Sequence, residues 1–371
     1  MKNILILEDS SKVIFGGGQK VTLYVMEILH KKYSIFLADC AKESIFMKKA
    51  SKYVKGKLLL KCFGKVNNKE RSSFNISFQE IFFFPFLTLI NLIKLKKFLN
   101  NNFLNDNIIV YAATKKSLVL AYLLKKLYGI KYIFHAHTIN DKDSFFYKTI
   151  SFAYKEAEKI ICVSEEVSKS LEIQNKYVIY NPIDMTTISH KNIKNKKIIN
   201  IATFSSLIKM KGVEYFMKSY EYLKNKKKVQ FLIYGEGEQK EYLKKFEKEK
   251  IKLKGFTNKT EQLMKEEIDI IVIPSIAKEA CPMVILEAFK HGIPVIATNI
   301  GGQAELVCEK CGFLVNIKKP EEIAKKIDFL IDNPEIYENY SKNALIYAQQ
   351  FDMNNFEKKI LKIFDESFTI R

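Results

Sequence analysis

Short apolar runs alternate with longer stretches of helical periodicity along almost the whole chain. The runs Asn3–Leu7, Tyr33–Leu37, Ile108–Ala112, Tyr132–His135 and Lys159–Val163 are rich in β-branched, leucine and aromatic side chains. Runs of that length and character predict strands buried on both faces, as in a parallel sheet covered by helices. A second series follows at Ile198–Ala202, Gln230–Tyr234, Ile251–Lys254, Ile270–Ile273 and Val295–Thr298. Between the two series, residues 181–197 hold an Asn-Pro pair and a lysine- and asparagine-rich run, which reads as a linker. No strand is assigned between residues 48 and 80, where neither period is sustained. Phe351 to Phe368 closes the chain with apolar positions at helical spacing. The pattern predicts an α/β fold of two Rossmann-like, doubly wound parallel sheets, with ligand bound beyond the strand C-terminal ends. Domains are expected at 1–184 and 185–350, followed by a C-terminal helix at 351–371.

A chain of 371 residues is long enough for two domains with separate cores, and a hydrophobic fraction of 47% excludes disorder. Met1–Glu8 reaches an acid too early for a signal peptide and reads as a first buried strand. The longest apolar stretch, Ile81–Ile93, is shorter than the roughly 20 residues of a spanning helix. Six cysteines without a framework suit a reducing compartment, so a cytoplasmic protein is expected. Cys308-x-x-Cys311 lacks the further ligands of a structural zinc site and is given no metal or redox role.

The stretch Glu279-Ala-Cys-Pro-Met-Val-Ile-Leu-Glu287 carries the most chemical information. Ile270–Ser275 before it reads as a buried strand ending in turn residues. Ala288–Gly292 after it closes a helix on a glycine, and Ile293–Thr298 opens the next strand. Pro282 suits the first helical turn, and the amides of Met283 and Val284 then point out of the helix start, where they suit a phosphate. Seven residues separate the carboxylates, so Glu279 stands on the leading loop and Glu287 about two turns deeper. One acid can meet a sugar while the other meets a ribose. Acids beside a helix start are also favoured by its dipole, so the pair alone fixes no role.

The wider context resembles the retaining, nucleotide-sugar glycosyltransferases of family 4. In that family Pro-Ser, Glu-x7-Glu, Gly-x-Pro-Val and Gly-Gly-x-x-Glu follow one another. Here the series is Pro274-Ser275, Glu279 to Glu287, Gly292-Ile-Pro-Val295 and Gly301-Gly-Gln-Ala-Glu305. Asn181–Asp184, Lys211-Gly212, Tyr234–Gly237 and Gly255-Phe256 are similar to further family segments in the same order. The resemblance implies a GT-B architecture whose two domains face a central cleft, with the C-terminal helix crossing back to the first. It implies that Lys211, before a helix expected at Gly212–Tyr222, carries the donor phosphates, assisted by Lys209. Glu287 would hold the ribose and Glu279 the sugar, and His137 would face that sugar. The Gly16-Gly17-Gly18-Gln19 loop resembles the family loop whose bare backbone approaches the sugar diphosphate. The catalytic set is therefore His137, Lys211 and Glu279, and the substrate-binding set Gly16, Gly17, Lys209, Met283, Val284 and Glu287. The family's arginine five residues before the lysine is Ser206 here, and lysine lacks its bidentate fork. No metal and no cofactor are expected. Asp141-x-Asp143 follows no suitable strand for a metal pair and reads as a polar loop. His135 is assigned to the opposite strand face from His137.

Net charge decides the remaining partners. The chain carries +20, of which +13 falls in residues 1–185, and only Arg71 and Arg371 interrupt the lysines. Lysines between 48 and 65 and at 94–97 flank the aromatic stretch, a composition that suits an anionic membrane surface at the inner face of the plasma membrane. Lysine-rich coding drift explains the same charge, and no nucleic-acid module accompanies it. The function expected is sugar transfer from a nucleoside-diphosphate sugar to a glycan or lipid-linked acceptor, in bacterial surface polysaccharide assembly. A nucleotide-sugar epimerase or hydrolase of the same fold, or an inactive polyanion- or membrane-binding member of an assembly complex, remains open at this point.

Overall fold

A computed structural model describes residues 2–10, 15–61, 78–103 and 107–369, with the side chains of 78–83 outside that description. Two compact units share the chain: Met1–Tyr180 with Asn354–Arg371, and Asn181–Met353.

In the first unit the order is β1 (Asn3–Leu7), α1 (Gly17–Leu29), β2 (Ser34–Asp39), α2 (Ile45–Ala50), β3 (Gly56–Leu59), α3 (Phe78–Asn102), β4 (Ile108–Ala112), α4 (Lys115–Tyr128), β5 (Tyr132–Ala136), α5 (Phe145–Lys155), β6 (Lys159–Cys162), α6 (Glu165–Lys169) and β7 (Lys176–Val178). The strands form one parallel sheet in the order β3-β2-β1-β4-β5-β6-β7. Every residue of β1, β2, β5 and β6 is buried, which accounts for their uninterrupted apolar runs. Ser44, Thr114, Ser144 and Ser164 cap α2, α4, α5 and α6 by accepting an amide proton from three residues on.

The second unit runs β8 (Ile199–Phe204), α7 (Val213–Ser219), β9 (Val229–Tyr234), α8 (Lys240–Lys244), β10 (Ile251–Gly255), α9 (Thr260–Glu266), β11 (Ile270–Ile273), α10 (Met283–Lys290), β12 (Val295–Thr298), α11 (Gly301–Leu306), β13 (Gly312–Val315), α12 (Pro320–Asp332) and α13 (Pro334–Ala348). Its sheet is also parallel, in the order β10-β9-β8-β11-β12-β13. Phe216 of α7 stacks on Phe231 of β9 at 4.4 Å inside a core with Ile201, Ile270, Val272 and Ile327.

The final helix, α14 (Met353–Thr369), buries Phe356, Ile360, Ile363 and Phe364. Phe364 meets Tyr111, Phe368 stacks on Tyr33 at 5.3 Å, and Glu357 and Asp365 pair with Lys31 and Lys32.

Three strands lie outside the expected set: β3, β7 and β13. All are sheet edges, three or four residues long and partly exposed, so no continuous apolar run marks them. The helix expected at Gly212–Tyr222 is shorter, with α7 ending at Ser219 and a 3₁₀ turn covering Tyr220–Tyr222. Pro282 is the N-cap of α10 and not a residue of its first turn. Cys308 and Cys311 form a disulfide, a pairing that the reading of six cysteines without a framework did not include. The turn that takes the Cys311 amide to the Cys308 carbonyl brings the two residues together.

Candidate active site

The second unit brings Lys211 and Glu279 into direct contact. Lys209–Lys211 is a single 3₁₀ turn after β8, closed by Gly212 at φ +60°. A side chain is excluded there, because a Cβ on Gly212 would lie 2.1 Å from the Pro274 carbonyl oxygen. The Ile276 amide donates to the Met210 carbonyl at 2.9 Å, so this loop and the one after β11 are joined edge to edge. Across that junction Lys211 Nζ donates to Glu279 Oε2 at 2.5 Å, and the Ser275 hydroxyl donates to Oε1. Both side chains are partly exposed, so the pair can exchange partners with an arriving ligand. Lys209 is exposed on the same turn.

Glu279 is fixed through its backbone as well. Its amide donates to Oε1 of Gln303 at 3.1 Å, and its carbonyl accepts the Gly302 amide at 2.6 Å. A Cβ on Gly302 would meet the Ala280 carbonyl oxygen at 1.9 Å, so only glycine lets α11 approach this closely. Met283 and Val284 are the first two residues of α10, ahead of the Ile285 amide that bonds the Pro282 carbonyl. Their amides lie at the positive end of the helix dipole, which suits an anion. Glu287 lies further along α10 and is half-buried. The second unit thus holds a cation and a carboxylate on connected loops beside a helix start, with a second carboxylate further along that helix, an arrangement that suits an anionic ligand. Ser275 and Gln303 received no role from the sequence. Their signal was the Pro-Ser and Gly-Gly segments they belong to, but each acts through contacts between loops distant along the chain.

The first unit holds the other candidates. Gly16 caps α1, with open space where a Cβ would stand, and Gly17 is exposed. A Cβ on Gly18 would lie 3.7 Å from the His137 ring, so the glycine loop runs directly over that histidine. Burial holds the His137 imidazole down at about 4, so it is neutral at physiological pH. Its Nε2 is buried without a partner among the described residues, as suits a ring nitrogen that meets a ligand hydroxyl. His135 is fully buried, with Tyr111 bonding its Nδ1 at 2.6 Å; its ring lies 4.1 Å from that of His137, which corrects the opposite-face assignment, because residues two apart share a strand face. Beneath the same loop Glu8 accepts the Thr22 hydroxyl at 3.2 Å, and burial with the nearby Asp39 charge raises its carboxyl to about 8. Asp141 folds its carboxylate onto the Asp143 amide at 3.1 Å in the turn before α5. Among the described residues no group of three or more His, Cys, Asp or Glu is arranged to hold a metal ion.

Residues 184–346 match the family model of glycosyl transferases group 1. The match falls within the second unit. An uncharacterized glycosyltransferase of Haemophilus influenzae is 31% identical to this chain over 209 residues, 52% of this chain and 57% of the relative. The N,N'-diacetylbacillosaminyl-diphospho-undecaprenol alpha-1,3-N-acetylgalactosaminyltransferase of Campylobacter jejuni is 24% identical over 257 residues, 67% of this chain and 65% of the relative. The chain thus spans about six-tenths of the length of these two curated relatives. Among solved structures, Anabaena HepE in complex with UDP-glucose superposes with a TM-score of 0.79 at 19% identity, covering 98% of this chain and 99% of the other. At that identity the likeness concerns the fold alone, which is GT-B, with two parallel α/β units.

Proposed function

We propose that the protein is a retaining glycosyltransferase of family 4 that transfers a sugar from a nucleoside-diphosphate sugar to a glycan or lipid-linked acceptor during surface polysaccharide assembly. The observation that carries this reading is the Lys211–Glu279 pair beside the start of α10, within the residues that match the group 1 model. Lys211 and the α10 amides take the diphosphate, Glu287 the ribose and Glu279 the sugar. His137 of the first unit meets a sugar hydroxyl through its neutral ring. The departing phosphate accepts the acceptor's proton as the acceptor attacks from the face it leaves. Positioning and charge stabilisation then supply the catalysis, and no protein nucleophile or metal is required. The UDP-glucose named with HepE and the diphospho-undecaprenol named with the Campylobacter enzyme support a nucleotide donor and a lipid-linked acceptor.

Thermal denaturation with UDP, GDP, ADP and CDP, followed by NMR of the product anomer, tests this. One nucleotide should raise the melting temperature by mass action, and the donor's anomeric configuration should be kept in chelator. Inversion, or loss of activity in chelator that magnesium restores, would overturn it. Hydrolysis without transfer would favour the hydrolase, and an absence of nucleotide binding the inactive assembly protein.

A second reading concerns location. Phe86, Leu89 and Ile93 of α3 are 61%, 56% and 62% exposed, and Lys97 continues the same helix face. Phe82 and Phe83, expected to share this role, lie outside the described side chains. An apolar stripe ending in lysines suits reversible contact with an anionic leaflet on the cytoplasmic side. No described helix is long and apolar enough to cross a membrane. Flotation should favour anionic over neutral vesicles and weaken in salt; equal binding at low salt would mean the lysines reflect composition alone.

A further inference from the structure

Four residues of the second unit, Ser275 and Glu279 on the β11–α10 loop with Thr298 and Gln303 at the β12–α11 junction, close a ring of hydrogen bonds. The Glu279 amide donates to Gln303 Oε1 at 3.1 Å, Gln303 Nε2 donates to Thr298 Oγ1 at 3.2 Å, and Thr298 Oγ1 donates to the Ser275 carbonyl at 2.6 Å. Ser275 then returns to Glu279 by donating its hydroxyl to the carboxylate. The direction of every bond follows from the donors available. A backbone N–H can only donate, so the Gln303 amide oxygen must face Glu279. Its NH₂ must then face Thr298, and the Thr298 proton is left for the Ser275 carbonyl. Gln303 is fully buried and uses both ends of its amide, so its orientation is fixed by two hydrogen-bond partners rather than by packing alone.

We propose that Gln303 is a positioning residue for the transfer step: through this ring it sets the Glu279 carboxylate against the sugar, while leaving nucleotide capture to Lys211, Glu287 and the α10 amides. This rests on the functional reading above and adds a residue to it. The physical case is that Glu279 stands on a loop between β11 and α10, where nothing in the strand or the helix dictates its direction. Buried Ser275 holds one of its oxygens, but Lys211, which holds the other, is partly exposed and can be drawn away when phosphate arrives. Gln303 is not reachable, so it holds the Glu279 backbone through that exchange. Glutamine offers an acceptor oxygen and a donor NH₂ on separate atoms of one terminus without a charge at neutral pH, and asparagine is one methylene too short to span the same gap.

The test compares Gln303→Met, which keeps length and volume without hydrogen bonds, with Thr298→Val, which removes the anchor and leaves Gln303 in place. Each is assayed for UDP affinity by calorimetry and for UDP release from UDP-sugars in the presence of acceptor. Gln303→Met should lower kcat by about tenfold or more, with UDP Kd within about twofold of wild type, and Thr298→Val should show the same split in smaller degree. Gln303→Glu should regain turnover as the pH is lowered, because its protonated carboxyl restores an acceptor and a donor together. If Gln303→Met does not fold, Thr298→Val and Gln303→Glu carry the same decision. Unchanged kcat in these variants, or a parallel loss of kcat and UDP affinity, would overturn the proposal. A wild type that binds UDP but transfers nothing would fail the functional reading first, and the positioning role with it.

Discussion

Lys211 Nζ lies 2.5 Å from Oε2 of Glu279, so the side chain assigned to the donor phosphates and the one assigned to the sugar neutralise each other. A diphosphate reaching Lys211 must share or displace that carboxylate. The two assignments are therefore coupled, and single substitutions read out the coupling.

Glu279→Gln should depress transfer by of order 100-fold or more while leaving UDP affinity unchanged or improved, because it frees the lysine. Glu287→Ala should instead weaken UDP binding itself. Calorimetry and initial rates on the two variants separate these outcomes, and equal small effects would remove the division of labour.

Lys211→Ala should cost donor affinity by about 1.5–3 kcal/mol, the worth of a charge-assisted contact to phosphate. Ser206 is exposed, so Ser206→Arg should fold normally and match or modestly exceed wild-type turnover. Loss of activity in Ser206→Arg would mean that the loop cannot accommodate the fork that this position usually carries in the resembling family.

Glu8 sets a pH dependence of stability. Its carboxyl is raised from an ordinary value of 4.5 to about 8 by burial and by Asp39, so the folded state keeps a proton that the unfolded chain releases. The resulting stability is complete below about 4.5 and is lost as pH rises through about 8. Glu8→Gln mimics the protonated acid, so its melting temperature relative to wild type should climb between pH 5 and pH 9. A constant difference across that range would show that Glu8 ionises normally.

The C-terminal helix should be held by its apolar face more than by its charges. Lys31→Ala and Glu357→Ala remove an exposed ion pair and should each shift stability by about 1 kcal/mol or less. Ile360→Ala and Phe364→Ala empty fully buried positions and should cost about 2–5 kcal/mol each. Denaturant midpoints rank the four variants, and a reversed ranking would refute this account of α14.

The sequence by itself determined the sheet cores and the order of the chemistry. Runs such as Asn3–Leu7 and Ile270–Ile273 are buried at every position, and that demand is written in consecutive residues. The caps Ser44, Thr114, Ser144 and Ser164 act on amides only three residues away, yet the sequence reading did not single them out. Edge strands β3, β7 and β13 escaped because one exposed side relaxes the pattern that identifies a strand. The tertiary structure alone decided that Lys211 pairs with Glu279 across 68 positions and that Gln303 grips the Glu279 amide across 24. It likewise decided that Glu8 remains protonated, because an acid's pKa depends on the burial and charges around it and not on its neighbours in sequence. Local periodicity records what each segment must bury. Which loops then meet is set by strand order in the sheet, and strand order is fixed only when all the segments pack together.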